Sequence, residues 1–272
     1  MASRLLAVLA VLCVAVGAGV VALWLGQRRL LYFPDREDRR TAELRARALG
    51  LEPWTDGDEL VGWREPLSAG AARPRLLVLH GNAGSALDRA YFVEAFRAAH
   101  PDRPLDVRLV EYPGYGPRPG APTEAALVAA ARAAIALARR EGGGPVLLAG
   151  ESLGGAVAAL AAAADPSAVD GLLLVAPLSS VPAVARRHYP ALPEALYRDP
   201  FRADRALPRY GGPVAFLVAG QDEVVFAELC RALHDDQPGP KRLWEDPRAG
   251  HNTIRWDPGL PRWREMVAFL LP

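Results

Sequence analysis

The sequence predicts an α/β fold: a mostly parallel, doubly wound sheet that is covered by helices on both faces. Short, continuous apolar runs bounded by glycine or proline recur along the chain, which is typical of strands buried on both faces of a parallel sheet. Helical patterns lie between these runs, and such alternation favours a doubly wound sheet. Ligands are then expected beyond the carboxyl ends of the strands. The length of 272 residues suffices for one such domain and does not require a second.

The amino-terminal segment is typical of a transmembrane helix. Residues 5–25 carry no charge, and as a helix they would extend about 31 Å, which matches the hydrocarbon core of a bilayer. A collar of aromatic and basic side chains flanks its exit: Trp24, Arg28, Arg29 and Tyr32. We therefore predict a membrane anchor and its juxtamembrane segment in residues 1–35. A cleaved signal peptide is the alternative, since small residues such as Ala18 and Ala22 are compatible with a cleavage site.

Basic residues are distributed unequally around this segment. Arg4 lies on its amino side, and five arginines follow it: Arg28, Arg29, Arg36, Arg39 and Arg40. We therefore predict a single-pass membrane protein, and because basic residues favour the cytoplasmic side of a membrane, their count favours a cytoplasmic position for the large domain, residues 36–272. The opposite orientation is the alternative, since long domains can be translocated regardless of charge.

The strands of the large domain are assigned to its apolar runs. The stretch ELVGWREP at 59–66 precedes the parallel set and is expected to be antiparallel to it. The stretch KRLWED at 241–246 is more polar, which suits a strand near the edge of the sheet. The buried parallel strands between them are expected at 75–81, 106–114, 144–150, 171–177 and 213–220.

The helices are assigned to the longer patterns between these strands. One begins after Pro122 with Thr123 and Glu124, which resembles a helix start, and it ends at the glycines of EGGG. The four helices are expected at 84–99, 123–140, 152–164 and 223–234. A segment rich in proline and arginine, 178–211, separates two strands, and we predict that it forms a small cap insertion.

A Gly-x-Ser-x-Gly motif lies where a strand is predicted to lead into a helix. Gly150 and Gly154 flank Ser152, and a sharp strand-to-helix turn needs such small residues because it crowds the neighbouring backbone. The serine hydroxyl would be exposed at a helix amino terminus, whose dipole favours developing negative charge. Ser152 is therefore the predicted nucleophile, whereas Glu151 is expected to be a solvated or ion-paired side chain.

Topology selects the base and the acid that this serine needs. His251 follows the last predicted strand closely, at the carboxyl edge of the sheet. His80 also ends a strand, but it precedes the nucleophile; the remaining histidines lie at helix ends or in a proline-broken segment: His100, His188 and His234. Asp222 follows the preceding strand, with Glu223 the less favoured neighbour. We predict that Asp222 accepts a hydrogen bond from one ring nitrogen of His251 while the other nitrogen takes the serine proton.

An oxyanion hole requires two backbone N–H donors that point to the developing charge. Leu153, directly after the nucleophile, supplies one of them by geometry. The loop HGNAG at 80–84 is the candidate for the other, through Asn82, because its glycines let the backbone approach a substrate. A simple strand-to-helix turn is the alternative interpretation of this loop.

Five motifs, HGNAG, EYPGYG, GESLGG, GQDEVV and GHN, occur in this order, and the set resembles the α/β-hydrolase superfamily. More narrowly, with LLYFPD at 30–35, it resembles the Bem46-like group of membrane-anchored serine hydrolases. The resemblance covers about residues 28–260. It implies the α/β-hydrolase fold, the triad Ser152, Asp222 and His251, and hydrolysis of an ester or thioester through an acyl-enzyme. The chain departs from the group at Phe226, where a proline usually follows the valine, and at Glu111, where an aspartate or another polar residue is common.

Charge and motifs exclude several other functions. The formal net charge is only +1, which gives no reason to expect a nucleic-acid partner. The sequence has no HExxH motif and no CxxC pair, and GNAGS lacks the lysine of a phosphate-binding loop, so no metal or cofactor is expected. The alternatives that remain are a peptidase or C–C hydrolase with the same triad, and a catalytically inactive membrane-anchored scaffold or binding protein.

Overall fold

The computed structural model describes residues 2–66, 73–99, 104–189 and 192–271, so that the predicted helix end at His100 lies outside the described residues. The strands are β1 (Phe33–Pro34), β2 (Glu52–Asp56), β3 (Glu59–Arg64), β4 (Arg75–Leu79), β5 (Ala83–Gly84), β6 (Asp106–Val110), β7 (Val146–Glu151), β8 (Gly171–Val175), β9 (Val214–Ala219) and β10 (Lys241–Asp246). The α-helices are α1 (Ala2–Leu31), α2 (Arg39–Ala48), α3 (Ala90–Ala99), α4 (Glu124–Arg140), α5 (Leu153–Ala164), α6 (Val181–Ala185), α7 (Ala203–Ala206), α8 (Ala227–Asp235) and α9 (Pro261–Leu270).

Within the described residues, eight strands form one sheet in the order β10-β9-β8-β7-β4-β6-β3-β2. The six strands from β10 to β6 are parallel to one another, and β3 and β2 extend the sheet in antiparallel fashion. This confirms the predicted mostly parallel sheet, the antiparallel strand ahead of it and the polar strand at its edge. The short strands β1 and β5 form a separate parallel pair.

The observed elements differ from the expected ones mainly at their ends. Strands β4, β6 and β9 stop before the motif residues that follow them, because these residues form the loops at the carboxyl edge, whereas β7 runs on through Gly150 and Glu151. Helix α8 begins at Ala227 rather than at 223, and the helical region after β5 opens with a 3-10 turn, Ala86–Arg89, before α3. Strand β2 and helices α2 and α9 were not expected.

The core lies on both faces of the parallel strands. All residues of β4, β6, β8 and β9 are buried. Most of them are apolar, as predicted, and the charged exceptions are Arg75, Asp106 and Arg108. Helix α5 is also almost entirely buried, and its glycines and alanines allow it to pack closely against β7, the strand that precedes it. The described residues of the predicted cap, 178–211, contain only short helices and turns.

The first helix is exposed from Leu6 to Leu25, and its last turns are partly buried. A stretch of 26 residues within it, Leu6–Leu31, is long and apolar enough to cross a membrane. A signal sequence would pass the same test of length and composition.

Candidate active site

Ser152 occupies a strained turn between β7 and α5. Its backbone has a φ of 54°, a left-handed conformation that residues other than glycine rarely adopt. The turn is crowded, because a Cβ atom on Gly150 would lie 2.6 Å from the Cα of Gly155, and one on Gly154 would collide with the carbonyl oxygen of Leu79. The two glycines of the motif are thus required by close backbone packing, and the serine side chain is presented at the carboxyl edge of the sheet.

The three predicted side chains form one hydrogen-bonded chain. The Oγ of Ser152 lies 3.0 Å from Nε2 of His251, and Nδ1 of His251 lies 2.7 Å from Oδ2 of Asp222. With a proton on Nδ1, the ring donates to the carboxylate and accepts the serine hydroxyl proton at Nε2. The structure therefore brings together three residues that are separated by up to 99 positions in the chain.

The carboxylate of Asp222 is buried and well supplied with donors. Its Oδ1 accepts hydrogen bonds from the backbone N–H groups of Val224 at 2.9 Å and Val225 at 3.0 Å. Burial by itself raises the pKa of this carboxyl, but the hydrogen bond and charge of His251, together with the two amides, outweigh it and hold the pKa below its ordinary value. Asp222 is thus stabilised as the anion, whereas Glu223 is exposed.

The other described histidines lie elsewhere. His80 is buried between the rings of Tyr112 and Tyr115, and its Nδ1 lies 2.8 Å from the carbonyl oxygen of Gly81. This contact is consistent with its expected role in stabilising a turn. His188 is one of the residues that line the cavity described below, and His234 contacts Asp235 at the protein surface.

The two predicted oxyanion donors border the same space as Ser152. A cavity of about 470 Å³ is lined by Asn82, Leu153, Ser152 and His251. Most of the remaining lining is aliphatic: Leu31, Ala83, Leu178, Val181, Val184, Ala185, Val224 and Val225. Polar or charged side chains also contribute to the lining, namely Arg89, Glu151, His188, Tyr189 and Asn252. The larger aliphatic part of the cavity is suited to an apolar group.

The sequence does not show which residues contact Glu151, the neighbour of the nucleophile. Arg89 donates from Nε to Glu151 at 2.9 Å and from a guanidinium nitrogen to the carbonyl oxygen of Ala83 at 3.1 Å. The hydroxyl of Tyr91 also donates to Glu151, at 2.9 Å. The ion pair expected for Glu151 thus exists, and it links the serine turn to the loop that contains Asn82. No local pattern indicates it, because the partners are about 60 positions apart in the chain.

Leu31 is a second lining residue that sequence reasoning did not identify. It is the last residue of α1, so the end of the apolar helix forms part of the cavity wall. The motif order gave no reason to expect this contact. Among the described residues, no group of three or more His, Cys, Asp or Glu side chains is arranged to hold a metal ion.

Comparison with known proteins identifies the family. The uncharacterized protein Rv2307c of Mycobacterium tuberculosis is 36% identical over 270 residues, which is 97% of this chain and 92% of that protein. Among solved structures, Est1E from Butyrivibrio proteoclasticus has a TM-score of 0.65 at 16% identity and covers 82% of this chain and 99% of its own. The Pyrococcus furiosus esterase Pf2001 has a TM-score of 0.64 at 17% identity, with 89% and 96% covered.

The two structural likenesses show the fold, and the family assignment rests on the sequence. The model of the alpha/beta hydrolase family matches residues 76–271, a range that begins in β4 and includes Ser152, Asp222 and His251. The chain belongs to the alpha/beta hydrolase family.

Proposed function

We propose that this protein is a membrane-anchored serine hydrolase that cleaves carboxylic esters or thioesters through an acyl-enzyme. The observation that carries the proposal is the continuous chain from Ser152 through His251 to Asp222, with contacts of 3.0 Å and 2.7 Å. A serine hydroxyl is a weak nucleophile at neutral pH, and this arrangement is what activates it.

The geometry supports a two-step reaction. Nε2 of His251 takes the hydroxyl proton as Ser152 attacks the acyl carbon, and the negative charge on the tetrahedral intermediate is stabilised by the N–H groups of Asn82 and Leu153. His251 then gives its proton to the departing alcohol or thiol. Water, activated by the same histidine, releases the acid from the acyl-enzyme. Asp222 orients the imidazole and stabilises its charged form throughout.

The cavity favours an acyl chain as the group that the enzyme holds. Its lining beyond the serine is largely aliphatic. Leu31 is one of the lining residues and is also the last residue of the proposed membrane helix. An amphiphilic ester or thioester held at the bilayer surface would thus reach Ser152 with its apolar part against this wall. Pf2001 is named as an esterase, which agrees with ester chemistry on this fold. The Bem46-like resemblance of the sequence motifs points to the same membrane-anchored class.

The test is covalent labelling of the purified protein with a tagged fluorophosphonate, which reacts with activated serines. We expect the wild type to be labelled, Ser152→Ala to lose labelling completely and His251→Ala to lose most of it. Ser167→Ala is the matched control, since Ser167 is exposed and lies in the turn beyond the far end of α5 from Ser152, and this variant should be labelled like the wild type.

Hydrolysis assays then distinguish the substrate classes. We expect esters and thioesters with long acyl chains to be cleaved with higher kcat/KM than short soluble ones, and peptides to be left intact. A folded wild type that is not labelled would contradict the proposal and favour a scaffold; labelling with turnover of peptides alone would favour the peptidase alternative.

A further inference from the structure

The segment that leaves α1 is hydrogen-bonded to the loop that contains Asn82. Strand β1 pairs with β5 in parallel, with Phe33 opposite Ala83. The N–H of Phe33 donates to the carbonyl oxygen of Asn82 at 2.9 Å, and the N–H of Asp35 donates to that of Gly84, also at 2.9 Å. We call residues 31–35 the exit strap, since they connect the membrane helix to the domain along this loop.

The strap also holds the side chain of Asn82. The Nδ2 of Asn82 donates to the backbone carbonyl oxygen of Leu31 at 3.1 Å. The backbone carbonyl oxygen of Asn82, which accepts from Phe33, also accepts a hydrogen bond from the hydroxyl of Tyr115 at 2.8 Å. The backbone N–H of Asn82 has no protein partner in the described part of the chain. The contacts thus hold the residue from two sides and leave free the one group that the proposed mechanism needs.

The strap is itself fixed at its helix end. Arg28 forms an ion pair with the buried Asp199 at 2.7 Å. The side-chain amide of Gln27 donates to the carbonyl oxygen of Leu196 at 2.6 Å and accepts from the N–H of Arg198 at 3.0 Å. Tyr32 is buried, with its ring against Phe201. The last turns of α1 are thus bound to the predicted cap, so the strap starts from a defined position.

We propose that the exit strap is a positioning element of the oxyanion hole, through its hydrogen bonds to Asn82. The proposal rests on the proposed function, because it assigns a role to the strap in the same reaction. Donors stabilise an oxyanion only when they lie about 2.7–3.1 Å from it, and a displacement of about 1 Å costs on the order of 100-fold in rate. Loss of the strap contacts should therefore reduce transition-state stabilisation while the cavity that binds the acyl chain stays intact.

The experiment uses the full chain in detergent micelles and a short, soluble ester. Phe33→Pro removes the N–H that donates to Asn82, and Phe33→Ala, which keeps that N–H, isolates the effect of the hydrogen bond from that of the exposed ring. We expect kcat of Phe33→Pro to fall about 10- to 100-fold below that of Phe33→Ala, with KM within about twofold. A trifluoromethyl ketone, whose adduct with serine places an oxyanion in the hole, should lose affinity by a similar factor.

A second variant keeps the test decisive if Phe33→Pro does not fold. Asn82→Ala retains the backbone donor but removes the side-chain hydrogen bond to Leu31, and we expect the same loss in kcat and in ketone affinity with little change in KM. If the strap served only to stabilise the fold, the variants would unfold at a lower temperature and a smaller fraction of them would be folded. Their affinity for the ketone, compared with their KM for the ester, would not change.

The two proposals fail in different ways. If the wild type cleaves no ester and is not labelled, the proposed function is wrong. If the wild type is active, and the folded variants keep kcat and ketone affinity, the strap has no positioning role and only this inference is overturned.

Discussion

The carboxylate of Asp222 organises its own loop as well as His251. One oxygen accepts the imidazole N–H, and the other accepts the two amides of Val224 and Val225. These contacts hold residues 223–226 in a turn, and the positive φ of Phe226, 62°, interrupts the backbone before α8 begins at Ala227. The departure from the valine–proline pattern at Phe226 therefore leaves the position of the carboxylate intact.

Asp222→Asn tests this residue by its dependence on pH. The pKa of Asp222 is lower in the folded protein than its ordinary value of 3.8, so its charge stabilises the fold above that value. The contribution is lost as pH falls through the lower folded pKa. We expect the difference in free energy of unfolding between wild type and Asp222→Asn to shrink below about pH 3.8, as measured by denaturant titration.

Activity gives a second readout for the same variant. An asparagine favours the wrong imidazole tautomer, and we expect kcat at neutral pH to fall by roughly 10⁴. Asp58→Asn, in an exposed turn, is the control and should match the wild type. Wild-type kcat in Asp222→Asn would contradict the assigned role and direct attention to Glu223.

The candidate site was largely predictable at this scale because each of its residues ends a strand or follows one. Ser152 has its two glycines, and Asp222 and His251 follow two successive strands at the edge where parallel strands end together. Their catalytic roles stay predictions until variants are measured. The contacts of Arg89 with Glu151 and Ala83 were not predictable, since a side chain's distant partner leaves no periodic signal in the sequence.

At the scale of elements, the crossing of α5 over the sheet depends on Gly154. Its missing side chain lets the first turn of α5 approach the carbonyl oxygen of Leu79 at the end of β4. Any Cβ at this position must push the helix away from the strand, and the helix begins with Leu153, the proposed oxyanion donor.

Gly154→Ala should therefore lower both stability and activity. We expect the free energy of unfolding to fall by about 1–3 kcal/mol, with kcat reduced by more than the loss of folded protein explains. Gly143→Ala is the matched control, because a Cβ there meets no atom within 4 Å. Denaturant unfolding and ester hydrolysis measure both effects, and equal behaviour of the two variants would refute the close packing.

The two helices that the sequence analysis does not predict differ in how clearly their sequences indicate a helix. Helix α2 is rich in charge and buries only Ala42 and Ala46, so it lacks the apolar stripe that marks an amphipathic helix. Helix α9, in contrast, starts at Pro261 and buries residues with helical spacing: Trp263, Met266, Val267 and Leu270. Its pattern was present in the sequence and predicts a helix.

At the scale of the whole molecule, the exposed apolar surface of α1 fits either a membrane span or a signal sequence, and the proposed membrane anchor can be tested directly. We expect the full-length protein to stay in the membrane pellet after an alkaline wash, because about 20 apolar residues suffice to span a bilayer. Its intact mass should include residue 2 and those that follow. Release by the wash, or a mass that begins after Ala22, would contradict the anchor and support a cleaved signal peptide.

Protease digestion of sealed cells tests on which side of the membrane the domain lies. The excess of arginines after the helix predicts a cytoplasmic domain, so protease added outside sealed cells should leave the domain intact, and detergent should expose it. Rapid digestion from outside would reverse the predicted topology. The boundary proposed at residue 35 separates the anchor from the domain in the sequence. In the structure the two are connected across this boundary, because β1, which lies just before it, pairs with β5.

The attachment of Gln27 and Arg28 to the segment around Asp199 has a consequence for how such an enzyme meets its substrate. In the proposed membrane-anchored hydrolase, an anchor bound this way would hold the cleft at a fixed height above the lipid plane and confine the search for substrate to two dimensions. Turnover would then depend on the density of substrate among its neighbouring lipids rather than on its concentration in the surrounding volume. The same number of substrate molecules, spread over a larger area of inert bilayer, would be consumed more slowly.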